Sequence, residues 1–176
     1  GLVVLIFILP AILTNKKILS TSRKENNEIT DVEIEKHDYS QHSKIKLLHK
    51  KTEEVEELDL DEYIANVVSA EMPVKYNIEA LKAQAIVART YTMYKITKSK
   101  KHKEADICDD STCCQAWISK SDRLKKWKSD EAQENWNKIV KAVNDTKGKI
   151  VTYNGKPINA FFHSNSGGKT ETPYYV

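Results

Sequence analysis

Residues 67–91 read VVSAEMPVKYNIEALKAQAIVARTY, a long helical pattern interrupted once, at Met72-Pro73. Proline has no N–H to donate to a continuing helix and biases the residue before it away from helical angles, so the stretch folds as two helices with a break between them. The first opens at Leu58-Asp59-Leu60-Asp61-Glu62, where an aspartate can cap it and acids fill the first turn, the end the helix dipole favours for them. Ile64, Val67, Val68 and Glu71 then share one face. The second runs from Ile78 to about Ile96 behind an Asn77 cap, with Ala80, Gln84, Val87, Tyr91 and Tyr94 on one stripe and Lys82, Ile86, Arg89 and Met93 on the next. An acid at such a break faces whatever the two helices enclose, and Glu71 is the candidate catalytic residue. The structural alternative is a helix-end carboxylate satisfied by Arg89 or Lys82. Gln84, Arg89 and Tyr91 likewise suit either a polar cleft wall or a network that seals one helix against another.

The 176 residues, 40% hydrophobic and 30% charged, suffice for one domain with a core plus extra segments. A net charge of +3 from 28 basic and 25 acidic residues gives no bulk signal for nucleic acid, and none is expected as a partner. Residues 1–14, GLVVLIFILPAILT, are almost wholly apolar and are followed by Lys16 and Lys17. They are fewer than the roughly 20 that span a bilayer and lack a small-residue cleavage site, so a truncated, uncleaved membrane anchor is expected in preference to a signal peptide or a core helix. Either membrane reading exports the remainder. Residues 15–51, rich in Lys, Glu, Ser, Asn and His, read as an extended polar tether, within which Ile45, Leu47 and Leu48 suggest an edge strand. The folded domain is expected over 52–176.

All three cysteines lie in the polar segment 98–115. His102, Cys108, Cys113 and Cys114 fall within 13 residues and are ligand types zinc favours. The rival is a disulfide from Cys108 with one thiol left over, since exported compartments are oxidising. A metal is the favoured reading; it would be structural, because four protein ligands leave no open position, and no organic cofactor is called for. Further on, Trp136, Ile139, Val140 and Val143 mark a helix over about 129–144. Lys149 to Tyr153 and Pro157 to Phe162 read as strands joined by Asn154-Gly155, a dipeptide suited to a tight hairpin. The second strand leads into His163-Ser164-Asn165-Ser166-Gly167-Gly168-Lys169-Thr170-Glu171. Adjacent His163 and Ser164 point to opposite faces of a strand, no G-x-S-x-G elbow is present, and no Walker pattern accompanies the glycine pair. The fold class is α+β: a helical part carrying Glu71 packed with a strand-rich part carrying the glycine loop.

The runs VVSAEMP, EALKAQAIVARTY, CQAW and FFHSNSGGKTE, in this order, resemble the SpoIID/LytB family over about residues 56–176. The resemblance implies a membrane-anchored lytic transglycosylase that degrades peptidoglycan glycan strands, already stripped of peptide stems, in the space between mother cell and forespore during engulfment. It places the catalytic acid/base on Glu71. Cleft residues fall on Lys82, Gln84, Arg89, Tyr91, Gln115, His163, Ser164, Gly167, Gly168 and Thr170. The cysteine segment is similar to a zinc loop of clostridial members, with Cys113 where a histidine is usual. A sporulation amidase and a membrane protein are implied as partners, and the family's domain continues past Val176. One glutamate suffices for such an enzyme: it protonates the glycosidic oxygen, then takes the proton of the muramic acid 6-hydroxyl as that hydroxyl closes on the anomeric carbon. Ordinary glycosidases need two carboxylates. The alternatives are a glycan-binding module that does not cut and a structural partner in an engulfment complex.

Overall fold

The computed structural model describes residues 42–98, 101–163 and 167–170; the expected anchor, 1–14, and most of the expected tether lie outside the described residues. Strand β1 (Lys44–His49) turns Ile45 and Leu47 inward, both essentially unexposed, while Lys44 and Lys46 face out. Burying an Ile or Leu fully is worth about 1.5–3 kcal/mol, enough to commit this short alternation to the core. Strand β2 (Glu54–Asp59) runs antiparallel to it, with Ile45 opposite Leu58. On its other side β3 (Ile107–Cys108) lies parallel, Leu47 facing Ile107 and Leu48 facing Cys108. The order β2-β1-β3 makes β1 the central strand, where the sequence suggested an edge, and this strand starts ahead of Thr52. The three-stranded sheet is built from residues 44–108, earlier in the chain than the glycine loop.

Helix α1 (Leu60–Glu71) starts on Asp59, whose side chain accepts the N–H groups of Asp61 and Glu62. Burial runs unbroken from Tyr63 to Ser69, broader than the expected single face, because α1 is packed on several sides by the sheet and the other helices. It stops at Glu71, with Met72 extended at φ −130° and ψ 134°, as a residue before proline should be. Helix α2 (Ile78–Lys98) is capped by Asn77, whose Oδ1 accepts the Glu79 N–H at 3.0 Å. Its buried row Leu81, Ala85, Ala88 and Thr92 presents small side chains toward α1, and the Thr92 hydroxyl is satisfied by the Ala88 carbonyl at 2.8 Å. A short helix α3 (Lys120–Lys126), capped by Ser119, precedes α4 (Ala132–Asp145), which buries Trp136, Ile139, Ala142 and Val143.

The hairpin is real but short: β4 (Thr152–Tyr153) pairs with β5 (Lys156–Pro157) around Asn154 at φ 50° and Gly155 at φ 70°. Pro157 stands opposite Thr152, and one further bond, from the Ile158 N–H to the Val151 carbonyl at 3.3 Å, follows before the pairing ends short of the strands expected on both sides. Mixed α+β architecture is thus as expected. Among the described residues no helix is long and apolar enough to cross a membrane.

Candidate functional site

Glu71 is the last residue of α1 and is half-buried. Its Oε1 accepts the backbone N–H of Ala116 at 2.8 Å. Neither cation proposed to satisfy it does so. Arg89 has no exposed surface: Nη2 donates to Asp61 Oδ1 at 3.1 Å and to the Val143 carbonyl at 3.3 Å, and Nη1 to the Thr146 carbonyl at 3.0 Å. A planar, multi-donor guanidinium suits that set, a carboxylate at the start of α1 together with the free carbonyls at the end of α4. Lys82 Nζ is paired with Glu79 at 2.9 Å and Asp145 at 3.1 Å. Arg89 and Lys82, expected as cleft residues, join helices in this structure. Gln84 is buried, and its Nε2 has no partner among the described residues.

A cleft of about 370 Å³ opens beside Glu71. Its walls are Tyr91 and Lys95 of α2, Ser111 to Gln115, and Ala160 to Phe162. Glu71 is the one carboxylate lining it among the described residues. Burial pushes the Tyr91 hydroxyl well above its ordinary range, so it stays a neutral donor. Gln115 borders the cleft, yet its side chain turns inward, with Nε2 donating to Thr92 Oγ1 at 3.1 Å and near Tyr63 Oη at 3.4 Å. The side chain therefore anchors the loop rather than reaching for a ligand. His163 and Thr170 are exposed, and neither they nor Gly167 and Gly168 line the cleft; Ser164 lies outside the described residues. Gly167 and Gly168 take φ of 61° and 90°, backbone angles that favour glycine, while a Cβ there would meet nothing within 4 Å among the described residues. Sequence reasoning did not single out Lys95, Ser111, Thr112, Phe161 or Phe162. For Lys95 a signal existed, since it follows Tyr91 by four residues on the same helical face.

Two of the cleft's residues, Cys113 and Cys114, belong to the cysteine cluster. Ligand atoms of His102, Cys108, Cys113 and Cys114 all lie within 4.8 Å of one another. His102 Nε2 is 3.7 Å from Cys113 Sγ and 3.6 Å from Cys114 Sγ, and the two sulfurs are 3.8 Å apart. A tetrahedral zinc ion with bonds of about 2.3 Å to sulfur and about 2.1 Å to nitrogen sets neighbouring sulfurs about 3.8 Å apart and sulfur and nitrogen about 3.6 Å apart. The donor set fits a metal, and all three cysteines are unbridged, unlike the disulfide alternative. The turn that gathers them is built by Asp110: its carbonyl accepts the N–H groups of Cys113 at 3.0 Å and Cys114 at 2.7 Å, and its Oδ1 accepts the Thr112 N–H at 2.8 Å. Burial, then Lys50, Lys101 and Lys95, depress the His102 imidazole, favouring the neutral ring that binds metals. Burial pushes the Cys108 thiol up to about 12, so a metal taking it as thiolate must displace its proton.

Fold and cleft together define a class: an α+β domain whose cleft takes, among the described residues, a single carboxylate from a helix end and two cysteines of a histidine–cysteine cluster. The family model described as Stage II sporulation protein matches residues 48–153, and the chain belongs to this SpoIID family. Block 161–171 lies beyond the residues it matches. The chain is 45% identical over 119 residues to stage II sporulation protein D of Bacillus amyloliquefaciens, covering 66% of this chain and 34% of that relative. It is 42% identical over 120 residues to stage II sporulation protein D of Bacillus subtilis (strain 168), with coverage of 66% and 34%. An amidase enhancer of Bacillus subtilis (strain 168) is 39% identical over 108 residues, or 61% of this chain and 12% of the enhancer. The chain thus spans about a third of the length of the sporulation proteins it matches.

Proposed function

We propose that this cleft belongs to a lytic transglycosylase that cuts peptidoglycan glycan between N-acetylmuramic acid and N-acetylglucosamine, with Glu71 as both acid and base. The observation that carries this reading is that Glu71 is the one carboxylate of the cleft among the described residues and is held by Ala116. A backbone N–H can only donate, so Oε1 must accept and the transferable proton sits on Oε2. Oε2 gives that proton to the glycosidic oxygen. As a carboxylate, Glu71 then takes the proton of the muramic acid 6-hydroxyl while that oxygen bonds to the anomeric carbon. The product is a 1,6-anhydro sugar, and the protonated acid is restored without consuming water.

His102, Cys108, Cys113 and Cys114 would hold a zinc ion, which supplies a fixed loop and no chemistry at the reacting atoms. Tyr91 and the block from His163 to Thr170 would contact the glycan, whereas Arg89 and Lys82 support it by holding helices. Residues 1–14 would anchor the domain outside the membrane, between mother cell and forespore. The relatives' names support a sporulation role and an amidase as partner.

The test is mass spectrometry of glycan strands digested with the wild-type chain and with Glu71→Gln, which keeps size and removes the transferable proton. Anhydromuramoyl ends are expected from the wild type alone. Wild-type rates from Glu71→Gln would contradict the assignment, and strand binding without products from either would favour the non-cutting module.

A further inference from the structure

Lys95 is a cation in the cleft that the mechanism above does not use. It lies one turn beyond Tyr91 on α2, half-buried, with Nζ 5.1 Å from the centre of the Tyr91 ring. Lys82, on the same helix, is committed to Glu79 and Asp145, and Lys141 of α4 to Asp145. Lys95 pairs with no carboxylate among the described residues; it rests on an aromatic face, which holds an ammonium without neutralising it. Glu71 lines the same cleft, but its Oε1 is engaged by Ala116. The Thr112 hydroxyl is turned to Asp110 at 2.7 Å, so it does not compete for an incoming anion. A positively charged position beside the reacting carboxylate asks for a ligand that brings its own negative charge.

Resting on the glycan reading of the cleft, in which stem-free strands are the expected substrate, we propose that Lys95 is the side chain that binds the free lactyl carboxylate of the muramic acid residue. Along the sugar chain this is the one group whose charge reports the stem. Without a peptide it is a carboxylate that can accept from an ammonium; with a peptide it is a neutral amide, longer and bulkier. A lysine pairs with such a carboxylate as a point charge, through three rotatable donors.

The experiment measures binding of two probes to the 176-residue chain carrying Glu71→Gln, so that no turnover intervenes. One probe is a stem-free glycan strand; the other is the same strand with its lactyl carboxylates converted to methylamides. The expected result is about tenfold tighter binding of the carboxylate strand, shrinking as salt is added. Adding Lys95→Met should bring both probes to the weaker affinity, and Lys95→Arg should keep the preference, with circular dichroism showing each variant folded. Preference retained by Lys95→Met, or absent before it, overturns the inference while leaving the catalytic reading intact. If wild-type protein makes no anhydro ends and neither probe binds, the glycan reading fails and this inference with it.

Discussion

The Ala116 N–H donates to Glu71 Oε1 at 2.8 Å, which ties the end of α1 to the residue two positions after the last cysteine of the histidine–cysteine cluster. Between them, Gln115 is pinned to Thr92 by its side chain. The carboxylate's position therefore depends on the loop that the cluster folds. Removing the zinc proposed for this cluster from protein purified without chelator should lower the proposed cleavage about tenfold to a hundredfold, the worth of a hydrogen bond to a charged or reacting group. The near-ultraviolet signal of Trp117, next along the chain, should change with it, and both should return when zinc is added. Unchanged cleavage in protein shown to be free of metal would contradict this dependence.

Arg89 is expected to act on stability rather than on substrate affinity. Arg89→Met leaves Asp61 with Lys147 alone among the described residues, at 3.2 Å and itself largely exposed, and removes the guanidinium donors from the carbonyls of Val143 and Thr146. Breaking a buried pair in this way costs about 3–5 kcal/mol. Lysine should not restore it, because one ammonium cannot reproduce the guanidinium fork. Urea denaturation of the two variants checks both statements; a variant of wild-type stability with raised KM would return Arg89 to the cleft.

His49 gives the fold a pH dependence. Burial of the ring opposes its charge, but hydrogen bonds to Glu56 at 3.0 Å and Asp109 at 3.1 Å outweigh it, so its pKa is raised from the ordinary 6.5. A raised folded value means the protonated ring stabilises the native state. That contribution is fully present below 6.5 and is lost as pH rises through the folded value. The stability difference between wild type and His49→Gln should shrink as pH rises above 6.5. A difference independent of pH would show that the ring is not titrating against these acids.

The helix break at Met72-Pro73 was legible because proline acts locally, and the four metal-type ligands because they fall close together in sequence. The Asn154-Gly155 turn was legible for the same reason, but the length of its strands was not, since pairing depends on contacts outside the local sequence. Strand β2, EVEELD, offers one buried side chain, Leu58, and owes its existence to β1. Arg89 misled for a related reason: its partner Asp61 lies 28 residues earlier and the carbonyls it caps lie more than 50 later. The identity of Glu71 as the acid of the cleft rested on order among distant motifs, and the structure adds the N–H that orients it.

Digestion of stem-free glycan in heavy-oxygen water tests the single-carboxylate mechanism most directly. If Glu71 passes one proton out and takes one back with no water consumed, the new muramic acid ends are 1,6-anhydro and carry no label. Reducing ends that carry heavy oxygen would show water as the nucleophile and contradict the mechanism.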